Sequence, residues 1–374
     1  MKPSLTAFVS LGVLALSACG ISSAPGSSAG PSPAQAAAST APASSKPSAA
    51  RSGADAATTK PASSATSTTK DTVRGGYVSV SAYSTVPIIT KGAGLFGKYG
   101  IDAALTFIAP AALTAALTAG KDLDVGYGSI ESTATVDAQG GDLVAIAAME
   151  QGGIFKISAN PPAKALTDLR GKTVAITSTG ATSDLLVRQL LQQNNMVPNR
   201  DVSIVSIPDQ TAMVAALKTG QVAAAVMSEP ATSMAVAQGA TVIYDQSKSA
   251  VKAAQIPVLV KRGYLATHRD LLKRVLMANM EGIHLLKTKP TEAAPYAAEF
   301  LKNDDKAVVQ KALEAVAQVT ADDMNVPLEA VADAIKTSAA SLPEVAKLKP
   351  EDIVDTSLLD EIKASGFIDK LTKQ

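Results

Sequence analysis

The sequence predicts an α/β protein made of two similar lobes. Strand patterns alternate with helix patterns from about residue 73 onward, an internal repeat recurs after about 100 residues, and the composition changes sharply near residue 72. Strands that alternate with helices favour a largely parallel sheet covered by helices. Residues 73–374 are long enough to form two such lobes.

The first 19 residues are typical of a bacterial export signal. Lys2 precedes an apolar stretch, residues 4–18, that ends in LSAC at Cys19, the only cysteine of the chain. This stretch is shorter than the roughly 20 residues of a membrane-spanning helix and has the length of a signal-peptide core. LSAC resembles the lipobox, in which the cysteine is lipidated after cleavage. We therefore expect a lipoprotein signal peptide over 1–19 ending at lipidated Cys19; the alternative is an ordinary signal peptide with a chance cysteine.

Residues 20–72 are predicted to be a disordered tether. Ala, Ser, Pro, Thr and Gly make up 43 of the 50 residues 21–70. Such a composition has too little large apolar surface to offset the entropy lost on ordering. Together with the lipobox, it predicts a folded body that is lipid-anchored to the membrane on its extracytoplasmic side, the periplasmic side or the cell surface.

The internal repeat relates two halves of the folded part. RGGYVSVSAYS (74–84) aligns with RGKTVAITSTG (170–180) at a shift of 96 residues, and AALTAALTAGKDLDVGYGSIE (111–131) aligns with TAMVAALKTGQVAAAVMSEPA (211–231) at a shift of 100. Each half has the order strand, helix, strand, helix, glycine turn, strand, polar turn and helix. A spacing this long is not that of a solenoid, so it predicts two lobes of one architecture.

Four turns rich in small and hydroxyl residues follow the predicted strands. In open α/β sheets, ligands bind beyond the carboxyl ends of the strands. Hydroxyls and free helix N-terminal amides offer short hydrogen-bonding groups there; the alternative for each turn is an ordinary helix cap. The candidate ligand-binding residues in these turns are Tyr83, Ser84, Thr85, Tyr127, Gly128, Ser129, Ser178, Thr179, Gly180, Ala181, Thr182, Ser183, Ser228 and Glu229.

The segment LRGKTVAITSTGATSDLLVRQLLQQNNMVPNRDVSIV (169–205) resembles the core of periplasmic solute-binding proteins of ABC importers. The resemblance is to the group that binds sulfonates, nitrate, taurine and thiamine-pyrimidine precursors. It implies the type II periplasmic binding protein fold, with two crossovers and a ligand cleft between the lobes. Lobe 1 would be 73–158 plus 255–374 and lobe 2 would be 159–254, with crossings near Asn160 and Gln255. Four amphipathic helices over 267–287, 290–301, 305–319 and 327–340 would pack on lobe 1.

The resemblance also implies a function. The protein would capture a small solute by lobe closure and deliver it to an ABC permease and its ATPase, acting as a monomer without a cofactor. The solute would be of the sulfonate, nitrate or taurine type. A helix N-terminus at 181–183 favours an anion, but no Lys or Arg lies in the four turns, and Glu131, Glu150 and Glu229 suit a ligand with N–H groups. A pyrimidine or other N-heterocycle (thiamine precursor or flavin) and a lipid-anchored ligand sensor therefore remain alternatives.

Other functional classes find little support in the sequence. A formal net charge of +1 gives no reason to expect nucleic acid as a partner. One cysteine cannot form a disulfide framework or a cysteine-cluster metal site, and the two histidines, His268 and His284, fall short of the usual minimum of three protein ligands for a histidine site. The chain lacks His-Glu-x-x-His and the complete phosphate-loop pattern. We expect no metal and no enzymatic activity, including that of a thiamine-pyrimidine synthase.

Overall fold

The computed structural model describes residues 70–249 and 253–373. The predicted signal peptide, Cys19 and the tether up to residue 69 lie outside the described residues. Within the described ranges, none of the helices combines the length and the apolar character that crossing a bilayer requires.

Within the described ranges, ten strands form two five-stranded mixed sheets. The first sheet has the order β2-β1-β3-β10-β4 and the second has the order β7-β6-β8-β5-β9. The strands are β1 (Asp71–Tyr77), β2 (Ile101–Phe107), β3 (Val125–Ser129), β4 (Leu143–Glu150), β5 (Lys156–Ala159), β6 (Thr173–Ile176), β7 (Ser203–Ser206), β8 (Ala224–Met227), β9 (Thr241–Asp245) and β10 (Gln255–Lys261).

Helices connect the strands of both sheets and form the C-terminal part. The α-helices are α1 (Thr85–Gly92), α2 (Leu95–Lys98), α3 (Pro110–Ala119), α4 (Ile130–Ala138), α5 (Thr182–Gln193), α6 (Gln210–Lys218), α7 (Ala231–Ala237), α8 (Arg262–Thr267), α9 (Arg269–Thr288), α10 (Pro290–Leu301), α11 (Lys306–Val319), α12 (Leu328–Ala339), α13 (Pro350–Ile353), α14 (Ser357–Ala364) and α15 (Phe367–Leu371). Short 3-10 helices lie at Ala82–Ser84, Leu166–Leu169, Gln246–Lys248 and Pro343–Lys347.

The pairing of the strands shows the internal repeat directly. Gly75 pairs with Leu105 and Val125 in the first sheet. In the second sheet, the equivalent pairs of Ala175 are Val205 and Ala225, each 100 positions further along. One shift of 100 therefore relates all three strands. The shift of 96 for the first strand was wrong, because it matched two Arg-Gly dipeptides, of which one lies inside β1 and the other precedes β6.

Each sheet contains one strand that runs antiparallel to its two neighbours, and this strand directly follows a passage of the chain from the other sheet. Strand β10 pairs antiparallel with both β3 and β4, and β5 pairs antiparallel with both β8 and β9. The chain thus passes from the first sheet to the second between Glu150 and Lys156, and returns between Asp245 and Gln255. The two-lobed α/β architecture predicted from the sequence is confirmed.

The C-terminal helices pack on the first lobe. Helix α9 contacts α1 and α2, α12 contacts α4, and α14 contacts β4. The four amphipathic helices predicted from the 3.6-residue periodicity correspond to α9, α10, α11 and α12, with ends within two residues of the prediction. Helices α13 and α14 contact β4, whose eight residues are all buried.

Candidate functional site

A small cavity lies where the carboxyl ends of strands from both sheets meet. Its volume is about 70 Å³. The first lobe lines it with Val78, Ser79, Tyr83, Phe107, Ala109, Pro110, Leu113, Thr114, Gly128, Ser129 and Ser132. The remaining lining residues are Phe155, Thr177, Ala181, Thr182, Ser183, Pro208 and Gln210. None of these described lining residues carries a charged side chain, so hydroxyls, one amide and aromatic rings define the chemistry of the cavity.

Tyr83 forms an aromatic wall of the cavity together with Phe155. Their ring centroids lie 5.6 Å apart with the planes tilted by 35°. The Tyr83 hydroxyl donates a hydrogen bond of 2.7 Å to Oε1 of Gln255 at the start of β10. Burial raises the pKa of Tyr83 well above its ordinary value, so this hydroxyl keeps its proton. The ring is thereby fixed to a strand that begins directly after the second passage between the sheets.

The N-terminus of α5 carries the turn with the most candidate residues. Ala181 is the N-cap, and its side chain provides no capping hydrogen bond. The Gly180 amide donates to Oδ2 of Asp184 at 2.8 Å, and the Thr177 amide donates to the Ser183 hydroxyl at 3.0 Å. The amides of Thr182 and Ser183 are the first two of the helix and therefore lack intrahelical acceptors. These two amides and the positive end of the helix dipole point to a partial positive charge at the cavity.

Thr182 connects the two lobes through a hydrogen bond to Glu131. Its hydroxyl donates to Oε2 of Glu131, in the first turn of α4, at 3.1 Å. Glu131 is 9% exposed, and burial raises the pKa of its carboxyl. Thr182 lines both the cavity and a larger groove of about 510 Å³, and Glu131 lines that groove. The hydrogen-bonded pair therefore forms part of the wall between the two spaces.

Glu229 follows β8 and is held by groups of its own lobe. Its Oε1 lies 3.3 Å from Nζ of Lys156, and its Oε2 accepts hydrogen bonds from the Ser233 amide at 3.1 Å and hydroxyl at 2.6 Å. Its main-chain oxygen accepts from the Ala82 amide at 2.9 Å. The last bond is a second direct link between the lobes. Both carboxylate oxygens of Glu229 are therefore occupied by protein partners.

The candidate residues separate into two groups. The structure brings six of them together around the cavity, namely Tyr83, Gly128, Ser129, Ala181, Thr182 and Ser183. The other eight do not line it: Ser84, Thr85, Tyr127, Ser178, Thr179, Gly180, Ser228 and Glu229. Contact with a ligand stays a prediction for all fourteen.

Local structure explains why three of the second group lie apart. Tyr127 is 1% exposed within β3, and its hydroxyl accepts a hydrogen bond from Asn279 at 3.3 Å in α9. Thr85 donates to the main-chain oxygen of Ala82 at 2.8 Å. The Ser228 amide donates to Gln210 at 2.9 Å. Each group thus has a protein partner inside its own lobe.

Sequence reasoning missed several residues that line the cavity, among them Ser79, Phe107, Phe155, Thr177 and Gln210. Three of these had a usable signal. Ser79, Phe107 and Thr177 lie at or directly after the carboxyl ends of β1, β2 and β6, the same rule that selected the four turns. Gln210 is the first residue of α6, and Phe155 lies between the sheets, so only the tertiary structure brings them to the cavity.

This two-lobed architecture is the periplasmic binding protein fold, as comparison with solved structures shows. A protein of Bordetella bronchiseptica RB50 superposes with a TM-score of 0.70 at 20% identity, over 79% of this chain and 98% of that one. The aliphatic sulphonate binding protein SsuA of Escherichia coli gives 0.60 at 20% identity, over 77% and 91%. The nitrate-binding protein NrtA of Synechocystis PCC 6803 gives 0.62 at 17% identity, over 79% and 89%.

The sequence matches the NMT1-like family over residues 37–302, and the chain belongs to that family. No protein with a curated description matches it significantly. Among the residues that the structure describes, no group of three or more His, Cys, Asp and Glu side chains is arranged to hold a metal ion.

Proposed function

We propose that this protein is an extracytoplasmic solute-binding protein that captures a small solute between its lobes and delivers it to an ABC permease with its ATPase. The observation that carries the proposal is the cavity built from the strand ends of both sheets. Two hydrogen bonds join the lobes beside it, Ala82 to Glu229 and Thr182 to Glu131. A solute held there contacts both lobes and so stabilises their closure, the hinge motion of two-lobed binding proteins.

For the solute we propose a small oxyanion of the sulfonate, nitrate or taurine type. The free amides at the start of α5 and the hydroxyls of Ser79 and Thr177 are donors suited to anionic oxygens. A volume of about 70 Å³ admits a solute of only a few non-hydrogen atoms. The SsuA and NrtA neighbours, whose names state binding of sulphonate and nitrate, support the same class.

A second candidate is a small ring that carries N–H groups, such as an aminopyrimidine. The rings of Tyr83 and Phe155 can flank a planar ligand, and Gln210, whose Oε1 already accepts from Ser228, can donate from its side-chain amide to a ring nitrogen. The absence of a charged side chain among the described lining residues suits a neutral ring as well.

The test is a thermal-shift screen of the full chain carrying Cys19→Ser, with methanesulfonate, taurine, nitrate, bicarbonate, aminopyrimidines and amino acids. A solute at 100 times its Kd adds about 2.7 kcal/mol and raises Tm by several degrees. Thr182→Val should reduce the shift, because the hydrogen bond to Glu131 is lost, whereas Thr372→Val at the exposed C-terminal end should keep it. A shift only with N–H-bearing rings selects the second candidate, and no shift with any compound refutes both.

Three further experiments separate the roles that share this fold. Recovery of the bound solute unchanged after long incubation, by mass spectrometry, distinguishes binding from enzymatic conversion. Loss of solute uptake in cells lacking the protein supports delivery to a permease, whereas normal uptake with a lost transcriptional response supports a lipid-anchored sensor. Incorporation of labelled fatty acid into the wild type and not into Cys19→Ser tests the lipid anchor.

A further inference from the structure

The hydrogen bond between Thr182 and Glu131 crosses from one lobe to the other at the wall of the cavity. Both side chains are buried, and they lie between the 70 Å³ cavity and the 510 Å³ groove. The amide of Thr182 belongs to the same residue as the bonded hydroxyl, so this bond also fixes the first turn of α5 against α4. The position of the donors in α5 therefore depends on the carboxyl of Glu131.

We propose that Glu131 in its protonated form is a positioning residue that holds the lobes closed, so that solute capture is coupled to the uptake of one proton. The proposal rests on the proposed function and adds its dependence on pH. Closure brings the Glu131 carboxyl out of water and against Thr182, whereas opening returns it to water. Burial costs little free energy for a neutral carboxyl and much more for an ionised one, because the charge loses its hydration.

Among the residues that the structure describes, none offers the charge of Glu131 a close counter-ion. Burial is the main cause of its raised pKa; the hydrogen bonds from Thr182, Ser129 and its own backbone oppose the shift only in part. Helix α5 contributes Arg188, which is paired with Asp184 at 2.7 Å. The titratable groups that face Glu131 from the neighbouring elements are Tyr83 beside α1, Glu150 at the end of β4, and the exposed Asp333 and Lys336 of α12 across the groove.

Glu150 is the other buried carboxyl near the cavity and is the natural competitor for the proton. It is 1% exposed, its Oε2 has no hydrogen-bond partner, and burial raises its pKa well above the ordinary value. It lies within the first lobe, where its backbone forms bridges with Thr320 and pairs with Gln255. Because these contacts do not cross to the second lobe, its burial does not change with closure as that of Glu131 does.

The first experiment measures closure without any solute. The full chain carrying Cys19→Ser receives two dye-labelled cysteines, Lys121→Cys and Gln221→Cys, at exposed positions that the repeat makes equivalent in the two lobes. Energy transfer between the dyes reports the distance between the lobes from pH 4 to 8. The closed population should fall as the pH rises, and Glu131→Gln should remove this dependence while keeping the lobes closed. A wild-type distance that is constant with pH overturns the proposal.

The second experiment uses methanesulfonate as the probe and measures its Kd by calorimetry over the same range. Above the ordinary carboxyl pKa of about 4.3 the Kd should rise by up to tenfold per pH unit, and it should level off above the pKa of the closed state. Glu131→Gln should keep the tight low-pH value throughout, and the control Glu344→Gln, an exposed glutamate, should behave as the wild type. A slope that survives in Glu131→Gln but disappears in Glu150→Gln overturns the assignment to Glu131. If methanesulfonate does not bind at all, the proposed solute is wrong, and the solute-free experiment still decides the role of Glu131.

Discussion

Lys156 provides the sharpest test of how the charged groups beside the cavity are used. It is a cation that contacts Glu229, one of the predicted site residues, and an anionic solute gives it an obvious role as a ligand. The structure assigns it another one, because its Nζ lies 3.3 Å from Oε1 of Glu229, whose side chain is 3% exposed. We therefore expect Lys156→Met to reduce stability and to leave solute affinity nearly unchanged.

The magnitude follows from what the substitution leaves behind. Removing one partner of a buried ion pair costs about 3–5 kcal/mol, because the other charge stays buried. Lys156 is 20% exposed, and Ser233 still donates two hydrogen bonds to Glu229. Both features reduce the cost, so we expect a loss of about 2 kcal/mol and a fall in Tm of roughly 4–8 °C.

Urea unfolding followed by far-ultraviolet circular dichroism suits this measurement, since the chain has no tryptophan. The double variant Lys156→Met with Glu229→Gln should recover part of the stability, because it no longer buries an unpaired charge. Solute affinity is measured in parallel by calorimetry with the compound that the screen identifies. Unchanged stability together with lost solute binding would refute the reasoning and make Lys156 a direct ligand.

Three other predictions concern single groups. Thr182→Val should weaken solute binding about tenfold, because the hydrogen bond that joins the lobes at Glu131 is lost. Calorimetry is the assay, and equal affinity would be the contrary result. Burial alone would raise the pKa of Asp124, but its hydrogen bonds with Arg74 lower it. The stability that the Asp124–Arg74 pair contributes should therefore be present above about pH 4, and it should be lost as the pH falls through the lowered pKa. Urea unfolding midpoints measured across pH should show this loss of stability at low pH in the wild type and a smaller loss in Asp124→Asn. Equal pH dependence of the two proteins would contradict the prediction. Gly282→Ala should cost about 2 kcal/mol, because the added methyl group meets the Thr90 side chain where α9 packs on α1; an unchanged Tm would show that the helices separate freely.

The fold was predictable because its signals are local and repeated. Strand and helix periodicities follow from the sequence alone, and the recurrence after 100 residues made two equal lobes the simplest arrangement. The predicted shift of 96 between β1 and β6 was wrong because it followed a match of two Arg-Gly dipeptides instead of the shift of 100 that the other strands show. Only the pairing of Gly75 and Ala175 with their neighbours gave the common register.

The site was predictable only as far as strand ends determine it. The turns at 128–129 and 181–183 line the cavity because the carboxyl ends of parallel strands share one edge of a sheet. The sequence does not show which way a side chain points within a turn, so Tyr127 and Ser228 could not be separated from their neighbours. Nor does it show that Glu229 meets Lys156, which is 73 residues away in the chain. Contacts between distant residues decided which polar groups remain available to a solute.

The exchange of strands between the two halves has a consequence for how the chain acquires its structure. Strand β4 is buried at every position and pairs within the sheets only with β10, whose first residue comes 105 positions after the last residue of β4. During synthesis, the whole second lobe must emerge before this apolar segment can pair with β10. Strand pairings between residues so distant in sequence form slowly, and apolar surfaces stay exposed to solvent until they form. The first lobe therefore cannot complete its sheet before the second lobe has been synthesised, and the nascent protein has to be kept from aggregating until then.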